Sequence, residues 1–202
     1  MKKNLLTAIW MTLATTVLFG IFYPLAVTGL AGVIFPRQAS GELLHAASNA
    51  GSGGAGDIIG SSLIGQPFSS PGYFRSRPSA AGPAGYDADA SGGGASNFGP
   101  TNQALITRVA GDVEKARAEN PGARIPIDLV TTSGSGLDPH ITPAAAEFQV
   151  ARVARERNIS ESDVRAMVAK HTAARQLGFL GEPRVNVLEL NLELDATHPM
   201  KK

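Results

Sequence analysis

The stretch from residue 5 to residue 35, LLTAIWMTLATTVLFGIFYPLAVTGLAGVIF, contains thirty-one residues and no charged side chain. A helix of about 20 predominantly apolar residues is enough to cross the hydrocarbon core of a bilayer. The stretch is therefore predicted to form a single transmembrane helix. Such a helix would place everything that follows it on one side of a membrane.

The charges that flank this stretch predict its orientation. Lys2 and Lys3 precede it, whereas only Arg37 comes between its end and the acidic Glu42. Since basic residues favour the cytoplasmic side, we expect a cytoplasmic N-terminus and an extracytoplasmic C-terminal part. A cleaved signal peptide begins in the same way, but its apolar core is only about 7 to 15 residues long, so the length favours a permanent anchor.

Small or helix-breaking residues recur at every fourth position of the stretch. They are Thr12, Thr16, Gly20, Pro24, Thr28 and Gly32. Such a pattern lets two helices approach closely in lipid, which predicts a partner helix against Gly20 and Gly32. The alternative is that these residue types are merely common in membrane helices.

The rest of the chain has the size and charge of one ordinary domain. Of the 18 basic residues, 16 lie beyond residue 36, together with all 17 acidic residues, so this part is almost neutral. A near-neutral balance argues against nucleic acid as a partner. The chain contains no cysteine, which excludes disulfides, thiol catalysis and cysteine metal clusters and leaves a hydrophobic core to stabilise the domain.

Three segments follow from these changes in composition. Residues 1–36 are predicted to form the N-terminal segment with its membrane helix, residues 37–56 a flexible linker, and residues 57–202 an extracytoplasmic domain. Because the domain mixes strand and helix patterns, we expect the α+β class.

Secondary-structure patterns within the domain come in two kinds. Strands are predicted within residues 57–66, 125–132 and 188–195. Helices are predicted over about residues 101–120, 142–157 and 160–177, with Thr101, Thr142 and Ser160 as their N-terminal caps. The last strand rests on leucines that alternate with Glu, Asn and Asp, with a bulge expected near Val187 and Leu188.

Five aromatic residues lie in the Gly- and Pro-rich part between residues 67 and 102. They are Phe68, Tyr73, Phe74, Tyr86 and Phe98. Such side chains either pack a loop onto its domain or line a recognition surface, and packing is the commoner outcome.

A tight turn at residues 133–140, SGSGLDPH, concentrates polar chemistry. Ser133, Ser135, Asp138 and His140 contain the groups of a hydrolytic triad within eight residues. A triad is assembled by spatial geometry, usually from distant segments, whereas Ser-Gly and Asp-Pro runs stabilise turns through side chain to backbone hydrogen bonds. The pattern therefore favours a structural and docking turn over a catalytic site.

Metal and nucleotide motifs are missing from the sequence. His171 is predicted to lie on a helix, but Arg175 stands at the position where a second ligand would be needed, and no metal site is predicted. The sequence also lacks a G-x-x-x-x-G-K-[ST] phosphate loop and a D-K-T-G phosphorylation sequence. By itself, the chain cannot be an ordinary ATP-driven motor.

Five motifs occur in a fixed order along the domain. They are GSSLIGQ at residues 60–66, YFRSRPSA at 73–80, SGGGASNFGPTN at 91–102, IDLVTTSGSGLDPHITPAAA at 127–146 and HTAARQLGFLGEPRVNVLELN at 171–191. With these motifs the chain resembles the C subunit of the Kdp-type potassium-transporting P-type ATPase of bacteria and archaea. It departs from that family mainly in the extra Gly, Ser and Ala residues at 47–56.

The resemblance implies a non-catalytic accessory subunit of a high-affinity potassium-uptake pump in the bacterial plasma (inner) membrane. The implied partners are a channel-like subunit that binds potassium and a P-type ATPase subunit that uses ATP and Mg²⁺, so the chain needs no cofactor of its own. Arg77, Asn97 and Asn102 lie within the shared motifs and join the turn as docking candidates.

The family's subunit is described as a catalytic chaperone that raises the ATP affinity of the pump subunit, with nucleotide contacts attributed to it. The charge bias places this domain on the side of the membrane without ATP, which favours coupling through the membrane helices. A membrane-anchored hydrolase and an extracytoplasmic solute-binding domain remain as alternative functions.

Overall fold

The computed structural model describes residues 2–45, 56–89 and 94–200. The chain divides into two compact units, with the division between Ser61 and Ser62. The first unit contains an apolar N-terminal helix and a small hairpin, and the second contains a mixture of helices and short strands. The predicted α+β class and the predicted N-terminal apolar helix are thereby confirmed.

The first unit begins with 33 helical residues that are long and apolar enough to cross a membrane, and none of the span's apolar window is buried. The span consists of α1 (Lys2–Val17), a π-helical turn (Leu18–Phe22) and α2 (Tyr23–Ile34). At the π turn, the Tyr23 N–H donates to the Leu18 carbonyl, five residues earlier. Since the ring of Pro24 would crowd the preceding turn of a regular α-helix, this wider turn accommodates the proline.

The linker predicted for residues 37–56 is described only in part. A short helix, α3 (Pro36–Ala39), is followed by strand β1 (Leu43–His45), which pairs antiparallel with β2 (Ile58–Ser61). Residues 46–55, which hold most of the Gly/Ser/Ala insertion, lie outside the described residues. The three predicted segment boundaries stay predictions.

The described part of the second unit contains four α-helices and one small sheet. The helices are α4 (Gln103–Glu119), α5 (Pro143–Arg157), α6 (Glu161–Lys170) and α7 (Val187–Thr197). The strands are β3 (His140–Ile141), β4 (Thr172–Ala173) and β5 (Arg184–Asn186), which form an antiparallel sheet in the order β3-β5-β4. Thr142 and Ser160 cap α5 and α6, as predicted, whereas α4 is capped by Asn102 rather than by Thr101.

The predicted strand at residues 188–195 is wrong, because these residues belong to α7. The leucines satisfy both a two-residue repeat and a helical one, and the buried residues follow the helical one. They are Val187, Leu188, Leu190, Asn191 and Leu194. Asn186 accepts a hydrogen bond from the Glu189 N–H at 3.1 Å, a helix-start signal that outweighs the alternation.

Two other predicted elements also differ from the structure. Residues 125–132 contain a 3₁₀ turn (Ile127–Leu129) instead of a strand. The helix predicted to continue to about residue 177 ends at Lys170, and β4 follows it. Pro126 and the Ser-Gly turn that follows favour short turns over an extended strand in the first case.

The core of the second unit lies between α5, α6, α7 and β5. Its fully buried side chains include Val150, Val153, Val164, Val185, Leu190 and Leu194. Phe74 is fully buried in the same cluster, and Phe68 packs against it. The prediction that aromatic residues pack this loop is confirmed for these two, whereas Phe98 remains 45% exposed.

Residues 71–75, which we call the clamped segment, cross the core without forming a strand. Asn191 supplies both hydrogen bonds that a neighbouring strand would supply to Phe74: its Oδ1 accepts the Phe74 N–H and its Nδ2 donates to the Phe74 carbonyl, each at 2.9 Å. Gln149 does the same for Arg75, at 2.8 and 3.0 Å. The two amide side chains thus replace a missing strand.

Two buried arginines of α5 also bind the clamped segment, and together with Asn191 and Gln149 they form what we call the clamp. Arg152 donates to the carbonyls of Pro71 and Tyr73, and its Nε forms an ion pair with Glu119 at 2.7 Å. Arg157 donates to the Gly72 carbonyl at 2.6 Å, and its guanidinium carbon lies 4.8 Å from the centre of the Tyr73 ring. The carbonyls of the clamped segment are therefore paired inside the domain.

Candidate assembly site

The turn at residues 133–140 uses its serine hydroxyls to fix its own backbone. Ser133 Oγ accepts the Gly136 N–H at 2.9 Å, and Ser135 Oγ accepts the Leu137 N–H at 3.1 Å. In the residues that the structure describes, neither serine has a hydrogen bond to His140. The serines therefore act as turn residues in this geometry.

Gly136 lets this turn lie directly against the neighbouring loop. Its φ of +69° is in the left-handed region that favours glycine. Ser79 donates a hydrogen bond to the Gly136 carbonyl at 2.6 Å. An added Cβ would collide with the carbonyl oxygen of Gly94 and would lie 2.9 Å from the Cβ of Ala81. Both the backbone angle and the available space exclude a side chain at this position.

Arg77, Asp138 and His140 form the charged centre of the site. Asp138 Oδ2 lies 3.5 Å from Arg77 Nη1, and its Oδ1 lies 3.4 Å from His140 Nδ1. Partial burial acts to raise the pKa of the Asp138 carboxyl, but hydrogen bonds from His140 and the charges of His140 and Arg77 outweigh it. The pKa is therefore below its usual value, and Asp138 is ionised at neutral pH.

Tyr86 supports this centre from the adjacent loop. Its hydroxyl donates to the Arg77 carbonyl, and its N–H donates to Ser79 Oγ at 2.8 Å. Burial raises the pKa of Tyr86 to about 12, so its hydroxyl remains a donor at physiological pH. Arg77 is held on its other side by the Thr132 carbonyl, to which Nη2 donates at 3.2 Å.

An open cleft of about 270 Å³ lies beside the charged centre. It is lined by Arg77, Asp128, Asp138, His140, Ile141, Thr142, Glu182, Pro183 and Arg184. Both signs of charge are present, and the Asp128 carboxylate already accepts the N–H and the hydroxyl of Thr142 at 2.7 and 3.2 Å. Within residues 2–45, 56–89 and 94–200, no group of three His, Cys, Asp or Glu side chains is placed to hold a metal.

The other predicted docking residues lie apart from this centre. Asn102 caps α4 by accepting the Ala104 N–H at 2.8 Å, and Asn97 has a φ of +52° and donates to the Ala95 carbonyl at 3.4 Å. In the described residues, the side chains of both asparagines form hydrogen bonds only with neighbours in the sequence. Their roles in docking stay predictions.

Gly20 and Gly32 belong to the apolar helix of the first unit. A Cβ added at Gly20 would meet only Thr16 Cγ2, at 3.9 Å, and a Cβ added at Gly32 would meet nothing within 4 Å. The packing of the described chain therefore does not require glycine at either position. Their proposed role as contact points for a partner helix stays a prediction.

A hairpin between β4 and β5 carries exposed apolar residues that the sequence interpretation missed. Leu177, Phe179 and Leu180 are 83%, 69% and 48% exposed. Leu177 has a φ of +53°, a conformation that costs a leucine free energy. The signal was the apolar run between Gly178 and Gly181 with a proline after it, which is typical of a turn rather than of a helix end.

The base of this hairpin is tied to α7 through Glu193. Its carboxylate accepts from Lys170 Nζ at 2.8 Å and lies 2.6 Å from His171 Nε2. Hydrogen bonds from Lys170 and then from His171 lower the pKa of Glu193. The hairpin therefore projects from a fixed base.

Known proteins resemble this chain over almost its whole length. The family model described as "K+-transporting ATPase, c chain" matches residues 5–196. A protein of Koribacter versatilis named potassium-transporting ATPase KdpC subunit is 60% identical over 200 residues, which cover 99% of this chain and 98% of the relative. Relatives of the same name from Methylococcus capsulatus and Rhodopseudomonas palustris are 53% and 54% identical, and the matches cover 94% and 97% of this chain and 95% and 99% of those proteins.

Proposed function

Because the chain belongs to the KdpC family, the c chain of the K⁺-transporting ATPase, we propose that it is a non-catalytic subunit that anchors in the membrane and stabilises the pump. The observation that carries this proposal is the apolar helix of 33 residues, whose most apolar window has no buried residue. Such a helix needs lipid or other protein around it. Its partners are a channel-like potassium-binding subunit and a P-type ATPase subunit of the same complex.

The proposed topology follows from the lysines before the helix. With the N-terminus in the cytoplasm, the second unit lies outside the inner membrane as the domain of a single-pass protein. A topology reporter fused after Lys202 is expected to be active outside the cytoplasm. Activity of that fusion in the cytoplasm would overturn the orientation.

ATP and Mg²⁺ act in this proposal through the partner ATPase subunit, and potassium is the transported ion. An extracytoplasmic domain can raise the ATP affinity of that subunit if it binds the ATP-competent conformation more tightly than the other. Linkage then requires that ATP tighten the binding of this chain by the same factor. This mechanism supports a chaperone role without direct nucleotide contact.

This reciprocity gives a direct test of the chaperone role. The affinity of the pump for a non-hydrolysable ATP analogue is measured with and without this chain, and the affinity of the chain for the pump is measured with and without the analogue. Equal factors are expected. A change in ATP affinity without the reciprocal change would contradict coupling through conformation.

The turn at residues 133–140 separates this proposal from the hydrolase alternative. Gly136→Val is expected to lower the assembled complex and potassium-dependent ATPase activity together, because the valine has neither the backbone angle nor the space it needs. Ser133→Ala and Ser135→Ala each lose one hydrogen bond worth about 1 kcal/mol, and most activity should remain. Loss of turnover in a fully assembled serine variant would favour a catalytic serine instead.

A further inference from the structure

Arg184 is a half-buried arginine to which the domain supplies no partner. Within residues 2–45, 56–89 and 94–200, its side chain has neither a hydrogen bond nor an ion pair. The other basic side chains of these ranges that are buried or half-buried all have an ion-pair partner. They are Arg75, Arg77, Arg108, Arg152 and Arg157. Because a guanidinium that is partly withdrawn from water needs an acceptor to replace its hydration, a partner for Arg184 is expected.

The acidic residues of this chain are all accounted for. The sequence contains 17 of them, and every one lies in the described ranges. The two internal segments outside those ranges, residues 46–55 and 90–93, contain only Ala, Ser, Asn and Gly. A side-chain carboxylate for Arg184 must therefore come from another molecule.

The open cleft beside the charged centre is the place where such a group can enter. Arg184 begins β5, the central strand of the three-stranded sheet, and Val185 after it is fully buried. Since successive side chains of a strand point to opposite faces, Arg184 is directed away from the core, and it lines the cleft of about 270 Å³. The carboxylates of Asp128 and Asp138 in the same wall already accept hydrogen bonds from within the domain. The guanidinium of Arg184 is thus left for a group that enters from outside.

We propose that Arg184 binds the carboxylate of an aspartate or glutamate on an extracytoplasmic loop of a partner subunit. The inference rests on the proposed function, which supplies both the extracytoplasmic position and the partner. A guanidinium can donate two parallel hydrogen bonds to one carboxylate, which makes this group a good fit to the site. The acidic residues of the cleft repel a free anion, whereas a carboxylate on a docked loop is held in place by the rest of the interface.

The hairpin between β4 and β5 extends the same surface. Glu182 and Pro183 line the cleft and also form the end of the hairpin that carries the exposed leucines and phenylalanine. Glu182 is exposed, and its side chain has no partner in the part of the chain that the structure describes. The partner loop that fits this surface therefore has apolar residues beside its acidic residue, together with a hydrogen-bond donor for Glu182.

The substitution Arg184→Gln tests the proposal, with Arg124→Gln as the matched control. Arg124 is an exposed arginine that also has no side-chain partner among the described residues, and it lies outside the cleft. Recovery of the pump complex from detergent should fall about tenfold for Arg184→Gln and stay unchanged for Arg124→Gln. The denaturant midpoint of the purified subunit should stay unchanged for both, because neither side chain has a partner inside the domain. A lowered midpoint for Arg184→Gln, or equal recovery of the two variants, would overturn the proposal.

A charge swap identifies the partner group. Arg184→Glu should prevent assembly with the unaltered partner subunits, because two carboxylates would then face each other in the cleft. Replacement of one extracytoplasmic Asp or Glu of a partner by Arg should restore assembly with this variant. The series covers each acidic residue of the partners' extracytoplasmic loops in turn. If no single replacement restores the complex, the proposed ion pair does not exist.

Free anions provide a separate control. Sodium acetate and inorganic phosphate should not raise the melting temperature of the isolated subunit above its value in sodium chloride of the same ionic strength. A rise that disappears in Arg184→Gln would show a site for a free anion and would contradict the docking role. Failure of the wild-type chain to join any complex would instead refute the proposed function.

Discussion

The clamped segment at residues 71–75 and the hairpin between β4 and β5 have opposite arrangements of polar and apolar side chains. In the clamped segment, buried amide and guanidinium side chains pair with backbone groups, and Phe74 lies in the core. In the hairpin, leucine and phenylalanine side chains point out of the domain, and the backbone at Leu177 is strained.

The stability of the fold explains the buried polar groups of the clamp but does not explain the exposed apolar residues of the hairpin. Each buried polar group of the clamp has partners within the domain, so the stability of the fold accounts for it. The exposed apolar hairpin gains nothing from the fold and bears a conformational cost. A cluster of exposed apolar side chains is typical of a protein contact, and we expect the hairpin to dock onto another pump subunit.

The largest expected effect is on the clamp. Arg152→Ala leaves Glu119 with Arg75 as its remaining ion-pair partner and takes the buried donor away from the carbonyls of Pro71 and Tyr73. Because two buried carbonyls and one side of the carboxylate lose their partner, we expect a loss of about 3–5 kcal/mol in the free energy of unfolding. Denaturant unfolding of the purified subunit measures it. Arg155→Ala, on the same helix but with a side chain that is 70% exposed, should stay within about 0.5 kcal/mol of the wild type. Similar losses of unfolding free energy for the two variants would show that the buried contacts of Arg152 do not stabilise the domain more than an exposed arginine does.

A smaller loss is expected from removing the amide that replaces a strand. Asn191→Leu keeps the branching and the number of heavy atoms of the side chain but leaves the N–H and the carbonyl of Phe74 unpaired in the core, at a cost of about 2–4 kcal/mol. The same unfolding experiment measures this cost, and hydrogen exchange at the Phe74 N–H should become faster. A neutral substitution would mean that solvent or another group replaces the amide.

A substitution in the hairpin should weaken assembly of the complex without lowering the stability of the domain. Leu177→Asn introduces a residue that tolerates the positive φ at this position, so the free energy of unfolding should stay unchanged or rise by about 0.5–1 kcal/mol. Recovery of the pump complex should fall about tenfold if the leucine is buried by a partner. Ile127→Ala, at an exposed apolar residue outside the hairpin, should affect neither. Unimpaired assembly of Leu177→Asn would remove the docking role.

The smallest effect concerns the base of the hairpin. The pKa of Glu193 is lowered in the folded state, mainly by the hydrogen bond from Lys170. Its contribution to stability is therefore present above the ordinary carboxyl pKa and is lost as pH falls through the lower folded value. Glu193→Gln should reduce the acid dependence of the unfolding midpoint below about pH 4.5. An unchanged acid dependence would show that other carboxyl groups determine it.

Local signals in the sequence predicted much of this fold. The charge-free run predicted the N-terminal helix, and Thr142 and Ser160 marked the starts of α5 and α6, because a cap acts on neighbouring N–H groups. The alternating leucines were misleading at α7, where one pattern satisfies two repeats and the cap at Asn186 decides between them. Interactions between residues close in sequence were thus sufficient to predict an element where its cap and its hydrophobic repeat agreed.

The candidate site was less accessible to such reasoning. The proximity of Asp138 and His140 was visible in the turn, but their pairing with Arg77 joins residues that are 61 positions apart. The clamp joins Phe74 to a residue 117 positions away, and no periodic pattern reports such a partner. The exposed hairpin was missed because an apolar run was taken for a helix end, and burial cannot be read from residue type alone.

The clamp also orders events during synthesis of the protein. Phe74 leaves the ribosome well before Asn191, the residue whose amide completes its hydrogen bonds, and Arg75 precedes its partner Gln149 by 74 positions. Until α7 emerges, the ring and the backbone groups of Phe74 are without the partners that they have in the folded domain, a state that favours binding by chaperones. A nascent chain arrested before residue 186 should therefore remain sensitive to protease near residue 74, and release of the last helix should close that site.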